Sequence, residues 1–255
     1  MTILHAIILG IVEGITEFLP ISSTGHLILA GQLLNIPSTT FSKSFDIIIQ
    51  LGAIFSVVVL YWRSFLQIEV IKRLIVGFIP TGIIGLAMYD ILKTHLLDNS
   101  LLVVFTLFFG GVALIVFEYL HSAEHQEETD VTAITYKQTA VIGLFQSIAI
   151  IPGVSRSAAT IVGGLLLGIP RKTIVEFSFL LAVPTMAAAT GFDIMKNLSV
   201  FNAADAGILA VGFVVSFLVA LASIKFLLKF VRSHTFTSFG IYRVIVALLF
   251  LLIVL

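Results

Sequence analysis

The stretch that decides the fold runs from Glu13 to His26 and reads EGITEFLPISSTGH. It places two carboxylates, a Ser-Ser-Thr run and an imidazole within fourteen residues of an otherwise apolar chain. Ionisable groups at membrane depth are costly, so they indicate a functional site. A second polar stretch, PGVSRSAAT over Pro152–Thr160, adds an arginine. Together the two stretches predict a site inside a membrane protein for an anionic, phosphorylated group.

The composition of the whole chain predicts an integral membrane protein. Of its 255 residues, 59% are hydrophobic and 11% are charged, and the mean hydropathy is +1.15. Soluble domains carry about 25% charged residues. A net charge of zero argues against a nucleic-acid partner. The absence of cysteine excludes disulfides, thiolate catalysis and cysteine-ligated metals, and the N-terminus does not resemble a removable signal peptide.

Apolar segments of about 20 residues predict six spanning helices. They lie at roughly 45–62, 74–92, 101–120, 174–194, 207–228 and 239–255. Two further regions, 3–34 and 138–168, are broken at Pro20–Gly25 and at Pro152-Gly153. The nine residues after the first break span only about 14 Å as a helix, which is half of the hydrocarbon core. We therefore predict an all-α polytopic membrane protein with two re-entrant helical hairpins.

The two halves of the chain form a weak internal repeat. Six positions of the first half match the second at a constant offset of 133: Gly10, Glu13, Ser22, Ser23, Thr24 and Gly31 align with Gly143, Gln146, Ser155, Arg156, Ser157 and Gly164. We predict a single membrane domain over 1–255, with repeat one at about 1–120 and repeat two at about 138–255. The acidic segment 121–137 between them, with Glu124, Glu127, Glu128 and Asp130, is predicted to be a flexible, solvated loop.

Basic residues predict the orientation of the chain in the membrane. Because each hairpin returns to its own side, six spans place nine basic residues on one side and three on the other. The nine are Arg63, Lys72, Arg73, Lys137, Arg171, Lys172, Lys225, Lys229 and Arg232, and the three are Lys43, Lys93 and Lys196. The basic side is predicted to be cytoplasmic. The hairpins then enter from opposite sides and meet near the midplane, as in inverted-topology repeats.

Glu13 and Glu17 are spaced i, i+4 and share one face of a helix. Two close carboxylates in a low dielectric cannot both stay ionised without a cation. Either a divalent metal held by Glu13 and Glu17 or the guanidinium of Arg156 would compensate them, or one would act as a protonated acid. The alternative without catalysis is a proton relay or a hydrogen bond between helices.

The hydroxyls of Ser22, Ser23 and Thr24 precede a helix, where free backbone N–H groups bind anions. His26 follows Ser23 at i+3, which suits a nucleophile and its base. The simpler interpretation is a helix N-cap beside a core histidine.

Arg156 suits bidentate phosphate binding, and Ser155, Ser157 and Thr160 add donors beside it. The alternative is a structural ion pair with Glu13 or Glu17. Arg243, in the last span, is predicted to extend to the membrane surface.

These two motifs, with EFSFLLAVP at 176–184, resemble the signatures of the bacitracin-resistance family of undecaprenyl-diphosphate phosphatases over essentially the whole chain. Ala158 departs from the family pattern, which usually has glycine there. The resemblance implies a bacterial plasma-membrane hydrolase that converts undecaprenyl diphosphate to undecaprenyl phosphate and phosphate. This reaction would recycle the lipid carrier of peptidoglycan synthesis and confer bacitracin resistance.

Phosphoryl transfer needs a nucleophile, neutralisation of the phosphate charge and help for the leaving group, and we assign these roles to the site residues, with the divalent cation taken from the resemblance. Ser23 would be the nucleophile, His26 its base or a later acid, and Arg156 the phosphate clamp, while Glu17 with Glu13 would hold Mg²⁺ or Ca²⁺ or position a proton. Ser22, Thr24, Ser155, Ser157 and Thr160 would contact the polyprenyl diphosphate substrate. Direct attack by water, activated by Glu17 or His26, remains open. A homodimer and an outward-facing cavity are further expectations, and the alternative function is a secondary transporter or lipid flippase.

Overall fold

The computed structural model describes residues 1–91, 99–121, 127–197 and 205–254. Within these ranges the chain forms ten α-helices and no strand. The helices are α1 (Ile3–Thr16), α2 (Ser23–Leu33), α3 (Thr40–Leu60), α4 (Ile68–Ile91), α5 (Ser100–Leu120), α6 (Tyr136–Ile148), α7 (Arg156–Leu166), α8 (Arg171–Asn197), α9 (Ala206–Phe230) and α10 (Thr237–Val254). Short 3₁₀ turns lie at Ser64–Leu66 and Val131–Ala133.

The six predicted spans correspond to α3, α4, α5, α8, α9 and α10. Five of them are long and apolar enough to cross a membrane, and α10 is a shorter apolar helix. Large apolar side chains such as Leu86, Phe109 and Leu218 are exposed on these helices, as contact with lipid requires. The prediction of an all-α polytopic membrane protein is confirmed.

Two helix–break–helix hairpins stand where the sequence predicts them, as α1–α2 and α6–α7. The first break covers residues 17–22 and so begins before the predicted Pro20, while the second covers 149–155. The hydroxyls of Ser22 and Ser155 start the returning helices by accepting hydrogen bonds from the N–H groups of Gly25 (3.3 Å) and Ala158 (3.1 Å). Both ends of α2 and α7 differ by the same 133 residues that relate the two motifs.

The repeats exchange their packing partners. Helix α1 packs on α9 of the second repeat, and its counterpart α6 packs on α4 of the first. Glycines permit the close approach: a Cβ atom at Gly143 would lie 2.2 Å from the carbonyl oxygen of Gly77. The equivalent helices α5 and α10 run antiparallel, since Leu107 contacts Arg243 while Gly111 contacts Gly240. Antiparallel equivalent helices are the arrangement that inverted repeats produce.

The segment between the repeats differs from its prediction. Its described part, 127–135, is held against α8, where the hydroxyl of Thr173 donates to the carbonyl oxygen of Thr129 (2.7 Å). Val131 and Ile134 are buried, so this part is not solvated throughout, although Glu127, Glu128 and Asp130 are exposed as predicted. Its flexibility stays a prediction. The prediction relied on the acidic composition of the segment and overlooked Val131 and Ile134, which pack against the core. Glu124 of the predicted loop and Lys93 of the charge count lie outside the described residues.

The two breaks meet inside the bundle. The hydroxyl of Ser157 donates to the carbonyl oxygen of Phe18 across 2.8 Å. The Phe18 ring packs edge-on against Phe179 of α8, with ring centroids 5.2 Å apart. This contact joins the tip of each hairpin to the other and places their polar residues in one region of the core.

Candidate active site

A single carboxylate joins the polar residues of the two tips. Glu17 follows the last residue of α1, Ser23 begins α2 and Arg156 begins α7. Nη2 of Arg156 donates to Oε1 of Glu17 across 3.1 Å, and the Ser23 hydroxyl donates to Oε2 of the same carboxylate. Both interpretations of Arg156 from the sequence, a phosphate-binding group and a structural ion pair, placed it beside the glutamates. In the structure it lies beside Glu17.

These groups line a cavity of about 170 Å³. Six of the predicted site residues border it: Glu17, Ser22, Ser23, Thr24, Ser155 and Arg156. The N-termini of α2 and α7 both lie at this cavity because Ser23 and Arg156 begin those helices. Helix N-termini present free N–H groups and a positive dipole end, so the cavity favours an anion.

The turn before Ser23 is held in an unusual conformation. Ser22 has φ of 72° and ψ of 95°, a left-handed region that costs a non-glycine residue about 1–3 kcal/mol. Two contacts support it: its hydroxyl caps α2, and its carbonyl oxygen lies 2.7 Å from Nδ1 of His26. The turn reverses the chain between Glu17 and Ser23, which brings the hydroxyl to the carboxylate.

One nitrogen of the Arg156 guanidinium has no hydrogen-bond partner among the described residues. Its Nη1 donates to the carbonyl oxygen of Ser178 (2.9 Å) and its Nη2 to Glu17, while the buried Nε has no hydrogen-bond partner in the described chain. A buried donor without a partner is costly. The guanidinium therefore forms the ion pair that one of the two interpretations predicted, and its role in binding phosphate stays a prediction.

Glu13 is a buried carboxylate that does not border the cavity. It is fully buried one turn before Glu17, and neither of its oxygens accepts a hydrogen bond from a described residue. Among the described residues, no group of three or more histidine, aspartate or glutamate side chains is arranged to hold a metal ion, so these residues do not supply a complete metal cage. Two carboxylates nevertheless fit Mg²⁺, which commonly takes its other ligands from water and phosphate.

His26 does not pair with Ser23, and that prediction is wrong. Its Nδ1 donates to the carbonyl oxygen of Ser22, and its Nε2 lies 2.9 Å from the hydroxyl of Tyr242, whose ring stacks parallel at 5.5 Å. His26 does not border the cavity described above. The i+3 spacing places His26 near Ser23, but the Ser23 hydroxyl donates to Glu17 because a carboxylate is a stronger acceptor than an imidazole.

Two predicted substrate contacts are instead internal. Ser157 donates to the carbonyl oxygen of Phe18, and the Thr160 hydroxyl lies 2.6 Å from the hydroxyl of Ser178. Neither Ser157 nor Thr160 borders the cavity. Each hydroxyl is fully used in joining the second hairpin to its neighbours, so the prediction that they bind substrate is not supported.

Sequence reasoning missed two features of the site. Gln146 borders the cavity and donates from Nε2 to the hydroxyls of Thr81 (2.9 Å) and Thr185 (3.1 Å). Its match to Glu13 in the repeat was the available signal. Arg243 was expected at the membrane surface, yet it is 1% exposed and contacts both tips.

Comparison with known proteins shows the family of the chain. A profile of the family described as "Bacitracin resistance protein BacA" matches residues 6–249. The chain belongs to this family. Proteins named undecaprenyl-diphosphatase from Sulfurihydrogenibium sp. (strain YO3AOP1) and Aquifex aeolicus (strain VF5) are 54% and 50% identical to it, over 99% and 98% of both chains. One from Campylobacter jejuni subsp. jejuni serotype O:2 is 49% identical over 97% of this chain and 92% of its own.

The two motifs that resemble the family signatures, at 13–26 and 152–160, lie at the two tips. Family membership covers both repeats, because the matched range begins within α1 and ends within α10. The site described above lies wholly inside that range.

Proposed function

We propose that this protein is a membrane phosphatase that hydrolyses undecaprenyl diphosphate to undecaprenyl phosphate and inorganic phosphate. One observation carries the proposal: at the wall of the cavity, the Ser23 hydroxyl donates to the Glu17 carboxylate, which also accepts a hydrogen bond from Arg156. A hydroxyl, an adjacent base and a cation at helix N-termini are the groups that phosphoryl transfer requires. The names of the relatives point to the same reaction.

Substrate binding follows from the donors that converge on the cavity. The unused Nε–H of Arg156 and the N-terminal N–H groups of α2 and α7 would receive the oxygens of the terminal phosphate. Thr24 and the Ser22 turn border the same space. The lipid chain would remain among the apolar helices while the diphosphate occupies the cavity.

The chemical step begins with attack by Ser23 on the terminal phosphorus. As the Oγ–P bond forms, Glu17 accepts the hydroxyl proton, and the bond from phosphorus to the bridging oxygen breaks. The electron pair leaves with undecaprenyl phosphate, whose bridging oxygen becomes a terminal one. Water then attacks the phosphoserine. As the Oγ–P bond breaks, Glu17 returns the first proton to the Ser23 oxygen, accepts the proton of the attacking water and passes it to the departing phosphate. In the competing route, Glu17 activates water directly and no phosphoserine forms.

A divalent cation, Mg²⁺ or Ca²⁺, is part of the proposal. When bound, it would neutralise charge on the phosphate oxygens. Glu13, whose oxygens have no described partner, and Glu17 are the residues that would hold it. The ion would also remove the repulsion between two adjacent buried carboxylates.

The active cavity is proposed to open on the outer face of a bacterial plasma membrane. A larger cavity of about 870 Å³ shares Thr24 and Ile150 with the active cavity and reaches Ser38 and Lys43, at the less basic end of the bundle. Cysteines placed at the exposed positions Ser38 and Glu127 test this with an impermeant thiol reagent in intact cells. Labelling at 38 alone is expected, and labelling at 127 alone would invert the topology.

The alternative function, a secondary transporter or lipid flippase, is compatible with the inverted repeats but leaves the paired serine and carboxylate without a role. Phosphate release from purified protein in detergent, with undecaprenyl diphosphate as substrate, separates the two. Wild-type protein should release phosphate and Glu17→Gln should not. Absence of release from folded wild-type protein would contradict the proposal. A homodimer remains a prediction that size measurement in detergent would test.

A further inference from the structure

Arg243 is a buried cation that the proposed chemistry does not use. It lies in the middle of α10, is 1% exposed, and forms no ion pair with a carboxylate of the described chain. A charge buried in this way must be balanced by convergent hydrogen bonds. Its guanidinium donates to four backbone carbonyl oxygens, those of Pro20 (3.3 Å), Thr106 (3.0 Å), Leu107 (3.4 Å) and Gly153 (3.1 Å).

Two of these carbonyl groups belong to the tips that form the active site. Pro20 lies between Glu17 and Ser23, and Gly153 lies three residues before Arg156. Neither carbonyl is inside a helix, so each requires a donor from elsewhere.

The other two carbonyls belong to α5 and fix the guanidinium itself. The same helix also grips the second tip directly, because the Thr106 hydroxyl donates to the carbonyl oxygen of Pro152 (2.7 Å). Gly153 has φ of 87°, and a Cβ atom there would lie 1.9 Å from that hydroxyl. The residue before Arg243 adds a contact to the first tip, since the Tyr242 hydroxyl lies 2.9 Å from Nε2 of His26.

We propose that Arg243 is a positioning residue that sets the distance between the two tips, and so between the Ser23–Glu17 pair and Arg156. The inference rests on the proposed function, because the consequence of misplacing the tips is lost phosphoryl transfer. Lysine cannot replace it, since one ammonium cannot donate to carbonyl oxygens on both tips and on α5 at once. Arg243 touches no reacting atom, so it acts through the groups that it aligns.

The first arm of the test measures geometry without substrate. The chain has no cysteine, so nitroxide labels can be placed at Leu33 and Leu166, exposed positions at the far ends of α2 and α7. The distance distribution between them, measured by electron paramagnetic resonance, should be narrow in wild-type protein. It should broaden or shift in Arg243→Lys.

The second arm measures catalysis in the same variants. Misplacing reacting groups by about 1 Å can cost about 10²-fold in rate. We therefore expect kcat of Arg243→Lys to fall by about 10²-fold while KM changes little, because donors to the bound diphosphate remain. A purely structural role would instead lower the unfolding temperature and leave kcat per folded molecule unchanged.

A second-site variant covers the case in which Arg243 variants do not fold. A Cβ atom at Gly110 would lie 2.1 Å from Nη2 of Arg243, so Gly110→Ala displaces the flexible end of the arginine and keeps its charge. The matched control is Gly191→Ala, which meets no atom within 4 Å. Gly110→Ala should broaden the distances and lower kcat, and Gly191→Ala should do neither. In the Arg243→Lys background, Gly110→Ala should cost much less than alone.

Each outcome decides the proposal. Unchanged label distances in Arg243→Lys and Gly110→Ala would overturn it, and so would an unchanged kcat where the distances change. If the label distances change in the variants but the wild-type protein releases no phosphate, the positioning role of Arg243 is supported and the proposed function is contradicted. The two claims can therefore fail separately.

Discussion

Replacing Arg156 by lysine keeps the positive charge of the site but removes the planar guanidinium and its several donors. The guanidinium donates to the Ser178 carbonyl oxygen and to Glu17 at 2.9 and 3.1 Å, and in the proposed mechanism its Nε–H would bind a phosphate oxygen. A lysine ammonium cannot serve these three positions together. Each hydrogen bond to a charged group contributes about 1.5–3 kcal/mol, so losing one or two predicts a loss of about 3 kcal/mol. That equals about a 10²-fold fall in kcat/KM.

The assay is phosphate release from purified protein at several concentrations of lipid diphosphate. Arg73→Lys is a matched control, because Arg73 also binds a backbone carbonyl and a carboxylate, those of Ile134 and Glu69, but borders no part of the active cavity. The control should keep its kcat/KM. If Arg156→Lys retained nearly wild-type kcat/KM with unchanged thermal unfolding, the phosphate-clamp role would be wrong.

Three further outcomes follow from the structure. A chelator should abolish phosphate release and Mg²⁺ should restore it, with Glu13→Gln requiring at least about tenfold more Mg²⁺ because one of two ligands is lost; an unchanged requirement would remove Glu13 from the metal site. Gly52→Ala should lower the unfolding temperature, since its Cβ would lie 2.4 Å from a carbonyl oxygen of α9 and overpacking costs about 1–3 kcal/mol. The hydroxyl of Thr132, and then its N–H, lower the pKa of Asp130. The ionised Asp130 therefore stabilises the fold fully above about pH 3.9, and this stabilisation is lost as the pH falls through the lowered pKa. The difference in unfolding temperature between wild-type protein and Asp130→Asn should become smaller over that pH range. A difference that grew as the pH fell would contradict this prediction.

The sequence predicted the features of the site that follow from the length of the apolar segments and from the energetic cost of burying an unpaired charge. The segments after the two breaks are too short to span, so the hairpins and their meeting could be predicted. Glu17 and Arg156 are charges in apolar surroundings, and the expense of leaving them alone predicted that they lie together. The repeat offset of 133 also relates the ends of α2 to those of α7, although the bounds of these helices were not predicted from it.

Other features depend on three-dimensional competition between partners, which spacing does not reveal. Ser23 had two candidate acceptors, and the left-handed turn at Ser22 selected Glu17 rather than His26. Arg243 is 137 residues from Thr106 and 90 from Gly153, and its partners are backbone oxygens, which leave no mark in composition. The outcome for these residues required the folded chain.

The central claim is that Ser23, activated by Glu17, is the group that attacks the diphosphate. Phosphate release by Ser23→Ala, compared with Ser22→Ala at saturating substrate, tests it most directly. Ser23→Ala should lose several orders of magnitude in kcat, because the missing bond is made only during reaction. Ser22→Ala removes a helix-cap hydroxyl and should lose about tenfold to a hundredfold. Equal, modest losses in two folded variants would contradict the claim and favour direct attack by water.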